Sequence, residues 1–298
     1  MSGSKSYSPI QCDIDFDTSN IVGKTAIVTG GANGLGEAYV RALHAARATV
    51  FFGDVNQQDG EKLASELPGT TFIPCNVTNW SDQLHLFQAA ESQTGAIHFV
   101  IANAGIAADD DVFSFEGADV IPTEPKLPVI DINIRGVLYT VKLALHYFIK
   151  LNGQIQSPSQ VDTCLVLIGS GAAFLDCPRG PQYSASKWGM RGIMHSLYVR
   201  TKILTEASFE HVEKSGVEMA SLEDAGQALL RLLSDTGING RSLFISGRKW
   251  APRGYLDLDI DEYSGNKLVQ EIQADQLLSA PVELGLFLEK GSKYTMQR

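Results

Sequence analysis

Cysteine is scarce in this sequence, and the spacing typical of metal ligands is absent. Four cysteines occur in 298 residues, at Cys12, Cys75, Cys164 and Cys177, and no two of them form a C-x-x-C pair. Paired spacings of that kind are typical of structural zinc sites and redox motifs. A high density of cysteines is typical of small disulfide-bonded secreted domains. We therefore expect reduced, structural thiols and no metal site.

The chain also lacks an excess of positive charge and a long apolar run. Its formal net charge of -10 at pH 7 argues against nucleic acid or an anionic membrane surface as a partner. No apolar run approaches the length of a membrane span, and the first residues, Met1-Ser-Gly-Ser-Lys-Ser6, contain no apolar signal core. We therefore expect a cytoplasmic protein that binds neither nucleic acid nor a membrane.

Short apolar or β-branched runs alternate with helical stretches along most of the chain. The runs that predict strands are Thr25–Thr29, Thr49–Gly53, Thr70–Pro74, Ile97–Ala102, Thr163–Gly169 and Ser242–Ser246. The stretches that predict helices are Leu35–Ala46, Gln58–Glu66, Trp80–Thr94, Pro128–Leu151, Tyr183–Leu197 and Leu222–Ser234. Buried-type strands joined by helices predict a doubly wound, Rossmann-like α/β fold with one parallel sheet covered on both faces. We expect one such domain over residues 21–298, after a loose N-terminal arm over residues 1–20 and with a tail from about residue 254.

A glycine-rich turn follows the first predicted strand and opens the first predicted helix. It reads Thr29-Gly-Gly-Ala-Asn-Gly-Leu-Gly36. Glycines at positions 30, 34 and 36 allow a tight turn and a close approach of the backbone to a pyrophosphate, and the helix N-terminus offers unpaired N–H groups. The alternative is an ordinary strand–helix connection. We predict a dinucleotide site that includes Gly30, Asn33, Gly34, Leu35 and Gly36.

An acidic residue, Asp54, ends the second predicted strand. A carboxylate at this point can accept hydrogen bonds from both ribose hydroxyls and repels a 2′-phosphate. The glycine turn contains no Arg or Lys that would neutralise such a phosphate. The sequence therefore favours NAD over NADP, the alternative being that Asp54 only caps the loop before the second helix.

A tyrosine and a lysine lie four residues apart in Tyr183-Ser-Ala-Ser-Lys187, and Ser170 lies thirteen positions upstream of the tyrosine. On a helix this spacing places the phenol and the ammonium on one face. A neighbouring positive charge favours the phenolate and lowers the phenol pKa from its usual value near ~10 toward the working range. The same spacing is common on exposed helices without function, so the glycine turn is what supports the catalytic interpretation.

Together these motifs resemble those of the short-chain dehydrogenase/reductase family, over about seven-tenths of the chain. The resemblance implies that Asn103, Ala104 and Gly105 form the turn after the fourth strand beside the cofactor. It also implies adenine contacts for Asn76 and Val77, where the family usually has Asp-Val, a water-positioning role for Asn133 near the lysine, and a contact of Thr201 with the nicotinamide amide. In the absence of the resemblance, Asn133 is a buried, satisfied amide.

The implied reaction is NAD-dependent interconversion of a secondary alcohol and a ketone. Tyr183 acts as general base, Ser170 binds the substrate oxygen, and Lys187 holds the nicotinamide ribose. Ile238–Ser246 and the tail beyond it resemble the NAD-dependent branch that includes 15-hydroxyprostaglandin dehydrogenase and fungal 5′-hydroxyaverantin dehydrogenase. The resemblance implies a homodimer or homotetramer through the helices at Pro128–Leu151 and Tyr183–Leu197. The side chains expected to favour a medium-sized, mostly apolar or aromatic hydroxy or keto substrate are Phe174, Leu175, Tyr198, Phe209 and Trp188. The alternative for each is an ordinary core residue, and for Trp188 the core is the favoured interpretation.

One element of the family pattern is missing after Leu197. Between Gly169 and Ser242 no run predicts a strand, although the family has one directly after the Tyr-Lys helix. Either the last strand, Ser242–Ser246, occupies the vacant position beside the fifth strand, or the substrate half of the domain is loosely built. The second hypothesis for function is therefore a splice variant or degenerate copy that binds NAD without catalysis.

Overall fold

The computed structural model describes residues 10–108, 110–153, 160–173, 180–197, 221–238 and 241–258, with side chains at 195–197 excepted. The strands are β1 Thr25–Thr29, β2 Thr49–Asp54, β3 Thr70–Pro74, β4 Phe99–Ala102, β5 Cys164–Leu167, β6 Leu243–Ile245 and β7 Tyr255–Asp257. The helices are α1 Gly34–Ala45, α2 Gln57–Glu66, α3 Trp80–Thr94, α4 Pro128–Ile130, α5 Val137–Asn152, α6 Pro181–Leu197 and α7 Leu222–Ser234. No helix among the described residues is both long and apolar enough to span a bilayer.

The strands β1 to β5 form one parallel sheet in the order β3-β2-β1-β4-β5. Side chains alternate between its faces, so that Ile27 of β1 joins one apolar cluster while Ala26 and Val28 join the other. Helices α3, α5 and α6 contribute to the first cluster, and α1, α2 and α7 to the second. The predicted α/β fold with a doubly covered parallel sheet is confirmed. All parallel strands end at the same edge, where the predicted site residues follow them.

The last predicted strand does not occupy the position beside β5. β6 instead pairs antiparallel with β7, with Leu243 opposite Asp257 and Ile245 opposite Tyr255. The expectation that this strand moves into the sheet is therefore wrong for the described residues. The turn at residues 246–254 brings Tyr255–Asp257 back along one edge of β6, and within it the Ser246 N–H donates to the Gly254 carbonyl at 2.8 Å. No strand was predicted at the position of β7.

The described part of the predicted N-terminal arm packs against this hairpin. The Ile10 N–H donates to Asp257 Oδ2 at 2.9 Å. Cys12 is buried in a small cluster with Leu243 and Tyr255. Residues 19–21 form a short 3-10 helix, and the Asn20 Nδ2 donates to the carbonyl of Leu233. Residues 10–21 thus contact both the hairpin and α7.

The helix predicted over Pro128–Leu151 is interrupted. A π-helical turn, Asp131–Gly136, separates α4 from α5. Such a turn inserts an extra residue into the helical repeat and re-aims the side chains beyond it, and it is often found at functional sites. The sequence pattern predicts one continuous helix here, because apolar residues continue at helical spacing on both sides of the π-helical turn. Asn133 lies in the middle of this turn and is buried.

Candidate functional site

The glycine turn is folded so tightly that side chains are excluded at three of its glycines, Gly30, Gly31 and Gly36. Gly30 has a φ of 63°, and a Cβ added there would lie 2.7 Å from the Cα of Ala104. A Cβ on Gly36 would overlap with the carbonyl oxygen of Gly30. Gly34 has a φ of 54° but faces open space. The turn after β1 therefore packs directly on the turn after β4.

The contact between these two turns is a hydrogen-bonded lock centred on Asn103. Its Nδ2 donates to the carbonyls of Thr29 at 2.9 Å and Gly30 at 2.7 Å. In return, Thr29 Oγ1 accepts from the backbone N–H of Asn103 at 3.1 Å and of Ala104 at 3.2 Å. Asn103 and Ala104 thus lie in the turn directly after β4 and contact the glycine turn. Thr29 was missed by the sequence analysis, and its signal is a hydroxyl at the last strand position before the glycines.

The N-terminus of α1 is open. Asn33 is its N-cap residue, yet the Asn33 side chain makes no capping hydrogen bond. In contrast, Asn56, Asn79 and Ser221 cap α2, α3 and α7 with their side-chain oxygens. The first N–H groups of a helix have no partner within the helix, and the helix dipole is positive at this end. This turn, with its tight glycines and open helix end, therefore fits the pyrophosphate of a dinucleotide.

Asp54 faces the glycine turn from the end of β2. Its Oδ2 accepts from the Ala32 N–H at 3.1 Å and its Oδ1 from the Asn56 N–H at 2.9 Å. The side chain that caps α2 is that of Asn56, which accepts from the Asp59 N–H. Asp54 thus holds the glycine turn as well as the loop after β2. Carboxylate oxygens accept several hydrogen bonds each, so both oxygens keep acceptor capacity for further donors.

The two residues predicted to contact adenine differ in their exposure to solvent. Asn76 is exposed, and its Oδ1 accepts from both the N–H and the hydroxyl of Thr78. Val77 is buried and lies against Gly136 at the end of the π-helical turn. Only Asn76 therefore offers a polar group at the surface, while Val77 contributes packing between the loop after β3 and the helix that carries Asn133.

The predicted catalytic pair lies at the start of α6. Lys187 Nζ is 5.6 Å from the centre of the Tyr183 ring. Lys187 is buried, and its Nζ donates to the carbonyl of Ile168, just after β5, at 3.0 Å. Burial lowers the pKa of Lys187 to about 7, because the charged form loses its hydration. The lysine therefore exchanges its proton near neutral pH unless an anion beside it favours the ammonium form.

Ser170 and Gly105 complete this cluster on the two neighbouring strand ends. Ser170 is buried after β5, and its Oγ accepts from the Ala172 N–H at 3.2 Å. A Cβ added to Gly105 would lie 3.6 Å from Lys187 Nζ and 3.3 Å from Asn133 Oδ1. Glycine at position 105 thus leaves room where the lysine and the asparagine meet the turn after β4.

Asn133 fixes the turn after β4 to α6. Its Oδ1 accepts from the Ile106 N–H at 2.8 Å, and its Nδ2 donates to the Ile106 carbonyl at 2.9 Å and to Ser186 Oγ at 3.1 Å. The Ser186 hydroxyl donates to the carbonyl of Tyr183 at 2.8 Å. Ser186 was also missed by the sequence analysis, since a serine inside a helix carries no distinctive signal.

Some of the predicted residues cannot be placed and one lies elsewhere than expected. Thr201, Phe174, Leu175, Tyr198 and Phe209 lie outside the described residues. Trp188 is 53% exposed on α6, so the interpretation of Trp188 as a core residue is wrong. Among the described residues, no three His, Cys, Asp or Glu side chains are grouped as metal ligands are.

A parallel sheet of this strand order, with a glycine turn after β1 and an acidic residue after β2, defines the Rossmann class of dinucleotide-binding domains. The sequence model described as short chain dehydrogenase matches residues 24–203, and the chain belongs to this family of oxidoreductases.

Two relatives and one solved structure illustrate the similarity. The chain is 30% identical over 287 residues to 5′-hydroxyaverantin dehydrogenase of Dothistroma septosporum, covering 84% of this chain and 92% of the relative. It is 27% identical to NADP-dependent dehydrogenase M3 of a Phoma species, covering 82% and 81%. A crystal structure of 3-ketoacyl-(acyl-carrier-protein) reductase from Brucella melitensis, complexed with NADH, superposes with a TM-score of 0.63 at 19% identity, covering 74% of this chain and 96% of that one. The last similarity concerns the fold.

Proposed function

We propose that the chain is an NAD-dependent alcohol dehydrogenase that interconverts a secondary alcohol and a ketone. The observation that carries this proposal is the buried Lys187 ammonium beside the Tyr183 ring, 5.6 Å from its centre. This pair lies at the edge of the sheet where the glycine turn after β1 and Asp54 after β2 also lie. Groups for binding a dinucleotide and for moving a proton thus share one side of the molecule.

Tyr183 is the proton-transfer group in this proposal. Its phenolate takes the proton of the substrate hydroxyl, and the Ser170 hydroxyl orients the substrate oxygen. A phenolate beside Lys187 raises the lysine pKa, while burial lowers it to about 7, so the two groups stabilise each other as a charged pair. A bound nicotinamide ring supplies the hydride acceptor in oxidation and the donor in reduction.

The choice of NAD over NADP rests on Asp54. Its two oxygens already point at the glycine turn and at the loop after β2. A 2′-phosphate placed here would meet a carboxylate, and the turn from Thr29 to Gly36 contains no basic side chain to offset the repulsion. One of the relatives named above is NADP-dependent, so cofactor choice is a property to be measured for this chain.

The substrate class is proposed from exposed apolar side chains of the segment between β4 and α4. This segment is hydrogen-bonded to Asn133 through Ile106 and to Gln182 through Asp110, and it carries Phe113, Phe115 and Ile121 with exposed fractions of 75%, 83% and 88%. Apolar side chains on a segment bonded to the helix of Tyr183 favour a medium-sized, mostly apolar or aromatic hydroxy or keto compound. Measured kcat/KM for aryl and alkyl ketones of equal size tests this preference.

We also propose a homodimer or homotetramer, as the family resemblance implies. The helices concerned, α5 and α6, expose Leu138 by 46% and Trp188 by 53%. Exposed large apolar residues on adjacent helices are typical of an interface. Light scattering of the purified chain distinguishes these assemblies from a monomer.

A second candidate function is that of an NAD-binding protein without catalysis. It is favoured by the parallel sheet, which in the described part of the chain ends at β5. The two candidates make different predictions for the same protein, because both require a formed glycine turn while only the enzyme requires a working Tyr183.

The test combines a binding measurement with a single substitution. Fluorescence titration with NADH and NADPH measures cofactor binding, and NADH consumption with aryl ketones measures turnover. Tyr183→Phe is expected to lower kcat by about 100-fold or more without changing the Kd for NADH. Tyr139→Phe is the matched control, because this ring packs edge-on against Trp80 of α3 and has no proposed role in proton transfer. NADH binding without any turnover supports the second candidate, and absence of NADH binding to the folded protein overturns both.

A further inference from the structure

The first turn of α6, which contains Tyr183, has no capping side chain of its own. The helix begins at Pro181, which has no N–H, and the Ser184 N–H donates to the carbonyl of Gly180. Gly180 therefore occupies the N-cap position, and glycine has no side chain with which to cap. A first turn left in this state frays, since its N–H groups have no partner within the helix. Tyr183 is the third residue of this turn.

The cap comes from a distant part of the chain. Asp110 Oδ2 accepts from the Gln182 N–H at 2.7 Å, although the two residues are 72 positions apart. Burial acts to raise the pKa of Asp110, but the hydrogen bonds from Gln182 and from the Val112 N–H together hold it below its usual value. Asp110 is therefore a carboxylate at neutral pH, which is the form that best accepts at a helix N-terminus.

The side chain of Gln182 adds two further links. Its Nε2 donates to Asp110 Oδ1 at 3.1 Å and to the carbonyl of Lys126 at 2.9 Å. Two acceptors fix the orientation of the amide, because the flipped amide would place its oxygen against both. Gln182 is 3% exposed. One buried side chain thus holds the segment between β4 and α4 near both of its ends.

This segment is fixed to α6 on both sides of the tyrosine. Before Tyr183 in the chain, Gln182 binds Asp110 and Lys126. After it, Ser186 is linked through Asn133 to Ile106, where the segment begins. The tyrosine backbone is therefore held between two hydrogen-bonded attachments to the same segment, and the orientation of its phenol depends on both.

We propose that Gln182 and Asp110 are positioning residues, which cap the first turn of α6 from the segment 106–127 and so orient Tyr183 for proton transfer. This inference rests on the proposed function, because it concerns the same tyrosine. Neither residue is assigned contact with substrate or cofactor. Their effect is expected in kcat and not in cofactor affinity, since displacement of a catalytic group by a fraction of its own size costs much of the rate.

The test uses three substitutions and one matched control. Gln182→Leu removes the amide links and keeps the backbone cap, Asp110→Asn keeps an oxygen for the cap and loses the acceptor for Nε2, and Asp110→Ala removes both. Thr123→Val is the control, because Thr123 bonds only Glu116 inside the same segment, at 2.8 Å from its hydroxyl. Leucine at position 182 is compatible with folding, since Gln182 Oε1 has no partner among the described residues and Lys126 is exposed to water.

The probe reaction is the reduction of acetophenone with NADH, followed through NADH absorbance. Gln182→Leu and Asp110→Asn are expected to lower kcat by about 10-fold and Asp110→Ala by more, with the Kd for NADH within about twofold of the wild type. The double variant Gln182→Leu/Asp110→Ala is expected to be only slightly slower than Asp110→Ala alone, since it removes in addition only the hydrogen bond from Gln182 Nε2 to the Lys126 carbonyl. Thr123→Val keeps the wild-type kcat.

The outcomes separate this inference from the proposed function. Wild-type kcat in Gln182→Leu and Asp110→Ala, with Tyr183→Phe inactive, overturns the positioning role and leaves the enzyme standing. An equal loss of kcat in the Thr123→Val control also overturns the positioning role, because it shows that kcat falls with any substitution in this segment. A wild-type protein that reduces neither acetophenone nor larger aryl ketones overturns the proposed function, and the inference with it.

Discussion

The two sides of the molecule differ in how their strands are paired. On the side of β1 to β4, every strand is parallel to its neighbour and each strand end carries part of the candidate cofactor site. Beyond β5, the described strands β6 and β7 pair only with each other, and their hairpin is held by a buried ion pair between Arg241 and Asp257 at 2.8 Å. The glycine turn on the cofactor side thus depends on close packing of the backbone, whereas the β6–β7 hairpin depends on a buried ion pair.

The largest expected effect is a loss of folding stability caused by a substitution on the hairpin side. Arg241→Met removes the guanidinium that pairs with the buried carboxylate of Asp257, which also accepts from the Ile10 N–H, and breaking a buried ion pair in this way costs about 3–5 kcal/mol. Urea denaturation measures the loss. Arg253→Met, which removes an exposed pair with Asp15, is the control and should leave the midpoint unchanged. Equal midpoints for both variants would show that the buried pair contributes nothing.

On the cofactor side, the expected effect is on affinity. Gly36→Ala places a methyl group against the Gly30 carbonyl and displaces the turn, so we expect NADH affinity to fall by about 100-fold. Gly34→Ala faces open space and adds only left-handed backbone strain of about 1 kcal/mol. Fluorescence titration of both variants with NADH measures the two affinities. If Gly34→Ala binds as poorly as Gly36→Ala, close packing of the turn is not the cause.

Lys187 is buried, and the free-energy cost of burying its amine depends on pH. Burial lowers its pKa to about 7, below the unfolded value, so the unfolded chain binds more protons between these values and stability rises with pH across that window. Lys187→Met removes this cost, about 4 kcal/mol near pH 7, but also the hydrogen bond to the buried Ile168 carbonyl, worth about 1–3 kcal/mol. We therefore expect a net gain of about 2 kcal/mol near pH 7 that shrinks as the pH rises toward ~10. Urea midpoints at several pH values measure it. A gain that is constant with pH would contradict the buried-amine explanation.

The smallest effect concerns cofactor choice. Asp54→Ala removes the carboxylate that a 2′-phosphate would meet, and we expect the ratio of NADPH to NADH dissociation constants to fall by about 10-fold. Because Asp54 also accepts from the Ala32 N–H, Asp54→Asn serves as the control that keeps an acceptor there. An unchanged ratio in both variants would contradict the proposed role.

The fold was predictable to the extent that it follows from local patterns. The bounds predicted for β1, β3, α3 and α7 match those in the structure, because buried β-branched runs and amphipathic stretches carry their own signal. One of the two alternatives for β6 placed it beside β5, and the structure pairs it with β7. That pairing is decided by a turn and by the Arg241–Asp257 contact, and neither has a local pattern.

The candidate site divides in the same way. The sequence by itself determined the glycine turn, Asp54 and the Tyr183–Lys187 spacing, since these depend on residues close together in the chain. Only the tertiary structure decided that Thr29 locks onto Asn103, that Asn133 lies in a π-helical turn, and that Asp110 caps the helix of Tyr183. Thr29 and Asn103, and likewise Asp110 and Gln182, are distant in sequence, and their meeting depends on how buried strands and helices pack, which no short pattern of residues encodes.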